Sequence, residues 1–523
     1  MIRYNQITCL AIFISVLFYG FGQKNLHLKS QYSFNNSIWG DAFLNDIWGY
    51  TSVDSHEYAI VGLTDGFSIV RIDTSNPNEL FRVNGPKCTW RDMKVWKDHA
   101  YIIHENYIDS GSASVGLIIA DLNYLPDSMP YQSWYGPNNE YWASHNIFID
   151  EKGLAFLFGN ADTSGSSTLI LDLNDPKNPS IVGNYTDEYI HDGFVRGDTL
   201  WASEIYAGHL NAIDISDLQN MSSYGTVKTP NEFCHNVWLS DDNNYAFTTD
   251  ERRGSFVTSF DVSDPSNMQE LDRYEPSYGD SIIPHNTFYL NGFLVTSHYE
   301  NGVTVVDAHR PKNLVEVGYY DTSPFNGEGG GFKGCWGVYP YFNSGDIIAS
   351  DRQNGLYVLK PKYKRAAYLE GYISNTNTST PLPGAQIEII GNHQKENSRI
   401  GGDYYIGQVE EGSFDVRVMH QQCQEKIIYG VNLISGQVAN LDISLNCGDV
   451  GINDIHISSN TLYLNDIDYP VHLEIFDLNG RRILTELVQE PIHNITWPSS
   501  SKEGMYILQL YNTVQSKSFK LFR

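Results

Sequence analysis

At 523 residues the chain is too long for one domain, and 62 Asp and Glu against 34 Lys and Arg give it a formal charge of −28. With no cluster of basic residues, that balance excludes nucleic acid as a partner, because phosphate backbones are bound through grouped Lys and Arg. Aromatics at 13% and 44 glycines exclude general disorder and suit many short strands joined by turns.

Arg3 precedes the apolar run Leu10–Phe18, which leaves through Gly20 and Gly22. A positive start, a short apolar run and a small-residue exit predict a secretory signal peptide over residues 1–23. The run is shorter than the ~20 residues a membrane span needs, and no later stretch is apolar for long enough, so no transmembrane segment is expected. Cys9 stands ahead of the run rather than at its exit, which argues against a lipid anchor.

A repeat follows: a His or Trp opens a short strand, a second strand returns, and a third ends in Asp, often before Asn-Pro or Asp-Pro. The third strands are Phe67–Asp73, Gly116–Asp121, Thr168–Asp172, His209–Asp214, Val257–Asp261, Val303–Asp307 and Gly355–Leu359. The openings fall at Trp48, Trp90, His145, His191, His235, His285 and Trp336, in steps of 42 to 55 residues. Three or four strands per unit at this spacing predict the blades of a seven-bladed β-propeller over residues 24–363, a ring without exposed edges. The ends Phe260-Asp-Val-Ser-Asp-Pro265 and Ile170-Leu-Asp-Leu-Asn-Asp-Pro176 resemble those of LVIVD-repeat propellers in the choice-of-anchor B family of secreted bacterial proteins. The second and seventh units depart from the pattern: Asp121-Leu-Asn-Tyr-Leu lacks the Pro, and Leu359-Lys-Pro-Lys lacks the Asp. The resemblance implies the fold and carries no chemistry.

Lys360–Arg365 reads as a short basic linker, and limited proteolysis is expected to cut first around 360–368 or 446–454. Beyond it, Pro381-Leu-Pro-Gly-Ala385 and Gly402-Asp-Tyr-Tyr-Ile406 resemble the prealbumin-like regulatory module first known beside carboxypeptidases, which implies a small antiparallel β-sandwich over 366–447 with no catalytic residues of its own. Residues 452–523, with an Asn479-Gly480 hairpin signal and the strands Gly504–Leu510 and Lys517–Arg523, resemble the C-terminal sorting domain of type IX secretion in Bacteroidota. That resemblance implies another small antiparallel sandwich, contact with the secretion machinery, and a secreted or outer-membrane-attached product. The whole is therefore expected to be all-β. Export permits disulfides. The five cysteines left after the signal peptide are an odd number, and Cys423 and Cys447, in one late segment, form the expected pair.

In a blade the end of the second strand lies beside the start of the first. That rule gathers His145, His191, His235 and His285, each followed by Asn146, Asp192, Asn236 or Asn286, with Glu105, Glu204, Asp250, Glu251, His298 and Asp351 from second-strand ends. Arg91 and Arg352 reach the same zone. Imidazole with carboxylate suits a divalent metal such as zinc, copper, iron or nickel, or a polar ligand. Equally, each histidine can cap its own blade by bonding backbone, which repetition in register favours. A catalytic site would need a nearby base, Glu204 or Glu251, and nothing in the sequence selects either. Among weaker signals, Asn326–Gly331 lacks the Lys of a phosphate loop and reads as a connection, and Asn160–Gly165 as a hairpin turn or a calcium loop. Trp134, Tyr135, Tyr141 and Trp142 form an aromatic cluster that packs or grips a ligand. The leading expectation is a secreted or surface-attached binding protein for an extracellular protein, peptide or glycan. The alternatives are a metal-dependent hydrolase or oxidoreductase in the histidine mouth, and a purely architectural spacer or adhesin.

Overall fold

The computed structural model describes residues 23–34, 43–105, 115–162, 165–276, 282–323, 331–392, 395–447, 454–458, 461–465, 471–489, 492–498, 501–511 and 516–522. The segment expected to be the signal peptide lies outside them except for Gln23, as does most of the Gly-rich run 326–331. The 160–165 turn is described only in part.

The repeated Asp has a local cause. Asp172, Asp214, Asp261 and Asp307 each accept the backbone N–H two residues on, at 2.8 to 3.1 Å. Asp175, Asp217 and Asp264 do the same one turn later. The Asp-x-Ser/Asn-Asp-Pro end is thus two successive Asx turns, which satisfy backbone donors where the strand ladder stops. The Pro does not end the unit: Pro77 leads into a fourth strand, Asn78–Asn84, paired to Gly66–Arg71. Ser180–Tyr185, Ser222–Lys228 and Gln269–Tyr274 stand likewise on the outside of their sheets, and Val315–Tyr320 is the fourth strand of its own.

From Gln23 to Pro361 the described strands make seven sheets, six of four strands and one of five. Their inner strands are Leu44–Thr51, Met93–Trp96, Asn146–Ile149, Asp192–Arg196, Cys234–Leu239, Thr287–Leu290 and Cys335–Tyr339. Each inner strand adjoins the next sheet's inner strand or, at the sixth sheet, lies beside a neighbouring second strand, and Cys335–Tyr339 adjoins Leu44–Thr51. The sheets therefore stand in a ring around a channel, and this part of the chain is a β-propeller. Second and third strands are buried on both sides, as in Glu57–Leu63, because each sheet is packed between two others.

The seventh sheet takes its outer strand from the other end of the chain. Leu26–Tyr32 runs antiparallel to Gly355–Pro361, with Leu26 opposite Pro361 and Tyr32 opposite Leu356, while Gln23–Lys24 adds a fifth strand to the sixth sheet. This accounts for the missing Asp-Pro in the seventh unit: no fourth strand follows, so no turn is needed. Asp346, 1% exposed in its side chain, bridges Lys29 at 2.5 Å and Lys360 at 3.0 Å across that closure.

The ladders correct two of the expected unit openings. Asp46 and Asp92 lie level with Asn146, Asp192, Asn236 and Asn286, so Asn45 and Arg91 take the place of the histidines. Trp90 lies two residues before that level and Trp48 two residues after it. Bulges at 45–46, 235 and 336 insert residues that repeat spacing alone does not reveal. The level row ties the sheets together: Asn236 Nδ2 donates to Asp192 at 2.8 Å, and Asn236 Oδ1 accepts from Thr287 N at 2.9 Å. Asp92 accepts from Ile147 N at 3.2 Å. Asn286 reaches Asp46 at 3.3 Å, past the seventh sheet, where the equivalent residue is Gly337. Further along the channel Phe148, Phe194, Trp238, Phe288 and Trp48 are in successive ring contact. Lys94 lies over Trp48 at 4.5 Å and pairs with Asp92 at 2.7 Å.

The second module packs two sheets over a core that includes Leu369, Ile387, Tyr404, Val416 and Ile443. It is not wholly antiparallel, contrary to expectation. Ala367–Asn375 pairs antiparallel with Asp403–Gln408 but parallel with Val438–Asn440 and Ile443–Leu445. After Leu433 the chain crosses from one sheet to the other and re-enters beside its own first strand, and only a crossover permits parallel pairing. Cys423 and Cys447 are disulfide-bonded, while Cys88, Cys234 and Cys335 are buried free thiols. The last segment forms two further sheets, Asp454–Ser458 with Thr461–Asn465 and Ile492–Asn494, and a four-stranded one centred on Val471–Phe476 and Met505–Tyr511. At its hairpin, Asp477 accepts from Asn479 N and Arg481 N at 3.0 Å, and Gly480 takes φ +79°.

The linker is short as expected but not free, which argues against first cleavage at 360–368, while most of the alternative at 446–454 lies outside the described residues. Lys362 N bonds Asn25 O at 2.7 Å, Ala366 N bonds Asp307 at 2.7 Å, and Ala366 and Ala367 are fully buried. Arg310 makes two bonds of 2.6 Å to Glu370, and Tyr368 and Val409 join the propeller core around Val315 and Val317. On the same contact burial pushes Asp272 of the propeller up to about 7, with Glu270 adding to the rise, and Glu396 of the second module up to about 8, with Asp272 and Glu275 adding to it; Arg399 opposes both.

Two outcomes follow from this packing. An ideal Cβ on Gly337 would come within 2.3 Å of Asp46 Oδ1, an atom held by Ile47 N at 2.8 Å. Gly337→Ala should therefore cost ~1–3 kcal/mol in denaturant unfolding; an unchanged midpoint would show that the channel row is slack. Asp272 and Glu396 bind protons more tightly folded than unfolded, so their contribution is complete below pH ~4 and is lost as pH rises through about 7 to 8. The melting temperature should fall across that interval and Glu396→Gln should flatten the fall; equal slopes in the two proteins would dismiss the pair as its cause.

Candidate functional site

The first-strand starts bring His145, His191, His235 and His285 into one arc. Successive ring centroids lie 4.1, 4.2 and 4.5 Å apart, with tilts of 46–52°. His191 Nδ1 donates to His235 O at 3.2 Å, and His285 Nδ1 donates to Trp336 O at 2.6 Å. A carbonyl only accepts, so these two rings carry their hydrogen on Nδ1 and keep a lone pair on Nε2. Burial pushes His191 and His235 well below the ordinary imidazole range and His285 down to about 3, so all three are neutral at pH 7. Capping of a neighbouring sheet and a free acceptor edge thus coexist on one side chain.

Second-strand ends divide by alternation. Glu251 and Arg352 face the histidines, and so does Glu105, whose Oε2 is 3.0 Å from His145 Nδ1. Glu251 Oε2 is 3.6 Å from His235 Nε2, and its Oε1 is 3.8 Å from His285 Nε2. Tyr299, level with Glu251 on the next sheet, donates its hydroxyl to Glu251 Oε1 at 2.5 Å. Burial raises Glu251 to about 7 and Tyr299 well above its ordinary value. Arg352 stacks on Trp336 at 4.7 Å, its guanidinium pKa lowered by burial.

Residues one position earlier point to the opposite side of their strands and are spent there. Glu204 holds His209 at 2.5 Å and Asn211 at 2.8 Å. Asp250 accepts from Thr229 Oγ1 at 2.5 Å, Asn231 N at 2.7 Å and Phe233 N at 3.2 Å. Asp351 accepts from Thr322 Oγ1 at 2.8 Å and from the amides of Gln353 and Asn354. His298 is fully buried near Tyr274, with its pKa pushed down to about 3 by burial. Arg91 is buried too, bonded to the carbonyls of Leu63 and Pro86. Of the expected residues, the structure therefore gathers the four histidines with Glu105, Glu251 and Arg352, and places Glu204, Asp250, His298, Asp351 and Arg91 elsewhere.

Aromatic side chains rim the arc. Trp90 (45% exposed) lies 6.3 Å from His145, and Phe332 (50%) lies 5.4 Å from Tyr299. Tyr206 (75%) lies 5.0 Å from Tyr189 at a 40° tilt, and Tyr189 is itself 6.5 Å from His191. The aromatic cluster expected at 134–142 splits: Tyr141 is buried against Trp134 and bonds Ser144, while Tyr135 and Trp142 remain at the surface. Tyr299, Tyr206 and Phe332 were not singled out in the sequence. Tyr299 was within reach, because it follows His298 as Glu251 follows Asp250.

Among the described residues no helix is long and apolar enough to cross a membrane. No curated protein matches the chain. Two solved structures resemble it. The β-propeller domain of Cps50 (Swd1) from Myceliophteria thermophila is 11% identical with a TM-score of 0.41, covering 63% of this chain and 99% of that one. A candidate 6-phosphogluconolactonase from Bacteroides uniformis is 14% identical with a TM-score of 0.43, covering 73% and 100%. The LVIVD repeat family model matches residues 234–275, the fifth sheet with His235 and Glu251, so the propeller carries an LVIVD repeat at the centre of the histidine arc.

Proposed function

We propose that this is an exported bacterial binding protein that captures an extracellular protein, peptide or glycan at the histidine mouth of a seven-bladed propeller. The observation that carries the reading is the mouth itself: free imidazole and carboxylate acceptors ringed by exposed Trp90, Tyr206 and Phe332. Aromatic faces beside polar acceptors suit stacking on sugars or gripping peptide side chains. The alternative of a metal-dependent hydrolase or oxidoreductase draws on the same histidines with Glu251 as base, since Glu204 is bound to His209.

Export is supported by the N-terminal pattern and by the Cys423–Cys447 disulfide, which suits an oxidising compartment. In this reading residues 1–23 are a signal peptide, 366–447 a prealbumin-like sandwich, and 452–523 a sorting domain that engages the type IX machinery before the product is released or held at the outer membrane. The test of capture is binding of the full mature chain to immobilised glycan and peptide arrays. Trp90→Ala with Tyr206→Ala should weaken capture on the order of 10-fold or more without lowering the melting temperature. Equal binding by the double variant, or none by the parent, would overturn the platform reading.

A further inference from the structure

Two imidazoles and one carboxylate converge in the arc. His235 Nε2 and Glu251 Oε2 are 3.6 Å apart, His285 Nε2 and Glu251 Oε1 are 3.8 Å apart, and all three groups offer ligand atoms within 4.8 Å of one another. These separations are too long for hydrogen bonds, which need roughly 2.7–3.2 Å, and too close for acceptors facing each other with nothing between. Ligands placed tetrahedrally ~2.0–2.2 Å from a metal stand roughly 3.3–3.6 Å apart. The two nitrogen–oxygen separations, 3.6 and 3.8 Å, already approach that span.

The surroundings orient these atoms as ligands. The Nδ1–H bond from His285 to Trp336 O at 2.6 Å leaves Nε2 as the coordinating nitrogen, and Tyr299 fixes the Glu251 carboxylate through Oε1 at 2.5 Å. An imidazole held by a backbone carbonyl and a carboxylate held by a hydroxyl are the outer contacts that metal ligands need. The backbone fixes where each stands: His235 lies in Cys234–Leu239, Glu251 directly follows Tyr245–Asp250, and His285, two residues before Thr287–Leu290, donates its N–H to Ser297 O at 2.9 Å.

We infer that His235, Glu251 and His285 bind one divalent cation at the propeller mouth, with a coordination position left open toward the aromatic rim. Two imidazoles and one carboxylate favour zinc, copper, nickel or iron over calcium and magnesium, which prefer oxygen alone. The open position gives the captured ligand a contact through an oxygen or nitrogen donor. The inference deepens the platform reading and rests on it only for that last contact, since the cation needs the three side chains alone.

The experiment is calorimetric titration of the metal-stripped full chain with zinc, paired with thermal melting and with the visible spectrum after cobalt loading. The expected result is one zinc per chain, a higher melting temperature through linkage, and the strong visible bands of four- or five-coordinate cobalt. Glu251→Gln, close in shape, should lower affinity at least 10-fold and weaken those bands, and His285→Gln should do the same. Tyr299→Phe should keep the stoichiometry and lose affinity by ~10-fold or less. No bound zinc or cobalt, or binding unchanged in Glu251→Gln, would overturn the site. Should a variant unfold, the parent's stoichiometry and cobalt spectrum still decide. Array capture by metal-free protein with no zinc bound would end the metal site and leave the platform, while stoichiometric zinc without capture would end the platform and leave the metal site.

Discussion

The pairing of Leu26–Tyr32 with Gly355–Pro361 is the constraint on which the rest depends. An open array of sheets would expose a row of unpaired backbone groups at each end; joining the two ends of the propeller chain in one sheet removes them. Closure also sets the radius of the channel, and the radius decides which side chains meet. Asn286 touches Asp46 only because Gly337 leaves the seventh position empty of side chain. The histidine arc inherits this geometry, since His191 and His285 each lean on a carbonyl of the adjacent sheet.

At the mouth, one histidine serves stability and recognition through different atoms. Nδ1 bonds backbone of the next sheet, which buries the donor at no loss, and Nε2 stays an acceptor. Burial keeps His191, His235 and His285 neutral, so these three rings carry no positive charge into the arc. The cation in this corner is Arg352, drawn toward Trp336 and partly balancing Glu251. The two readings that repetition set against each other, sheet cap and ligand, are therefore compatible.

The second module is fastened to the propeller by buried linker residues, the Arg310–Glu370 pair and the Tyr368 contact. It covers the outer part of the sixth sheet, remote from the histidine arc in the order of the strands.

Much of this was legible along the chain. The Asp-x-Ser/Asn-Asp-Pro ends announce themselves because Asx turns are local, and strand alternation is local too; together they marked seven units and four of the residues at the mouth. What depends on distant pairing was not legible. Nothing near residue 26 announces a partner at 361, because strand pairing is written in two places far apart. A bulge at 45–46 shifted Trp48 out of register with the histidines, since one extra residue reverses which side a chain of side chains faces, and Trp90 stands two residues ahead of Asp92. Glu251 and Glu204 looked alike as neighbours of a second-strand end, and only the direction of each side chain separated the carboxylate at the mouth from the one bound to His209. Composition and periodicity settled an all-β ring, because turns and alternation act over a few residues; which atoms converge was decided by closure, because convergence is a property of the ring and not of any unit in it.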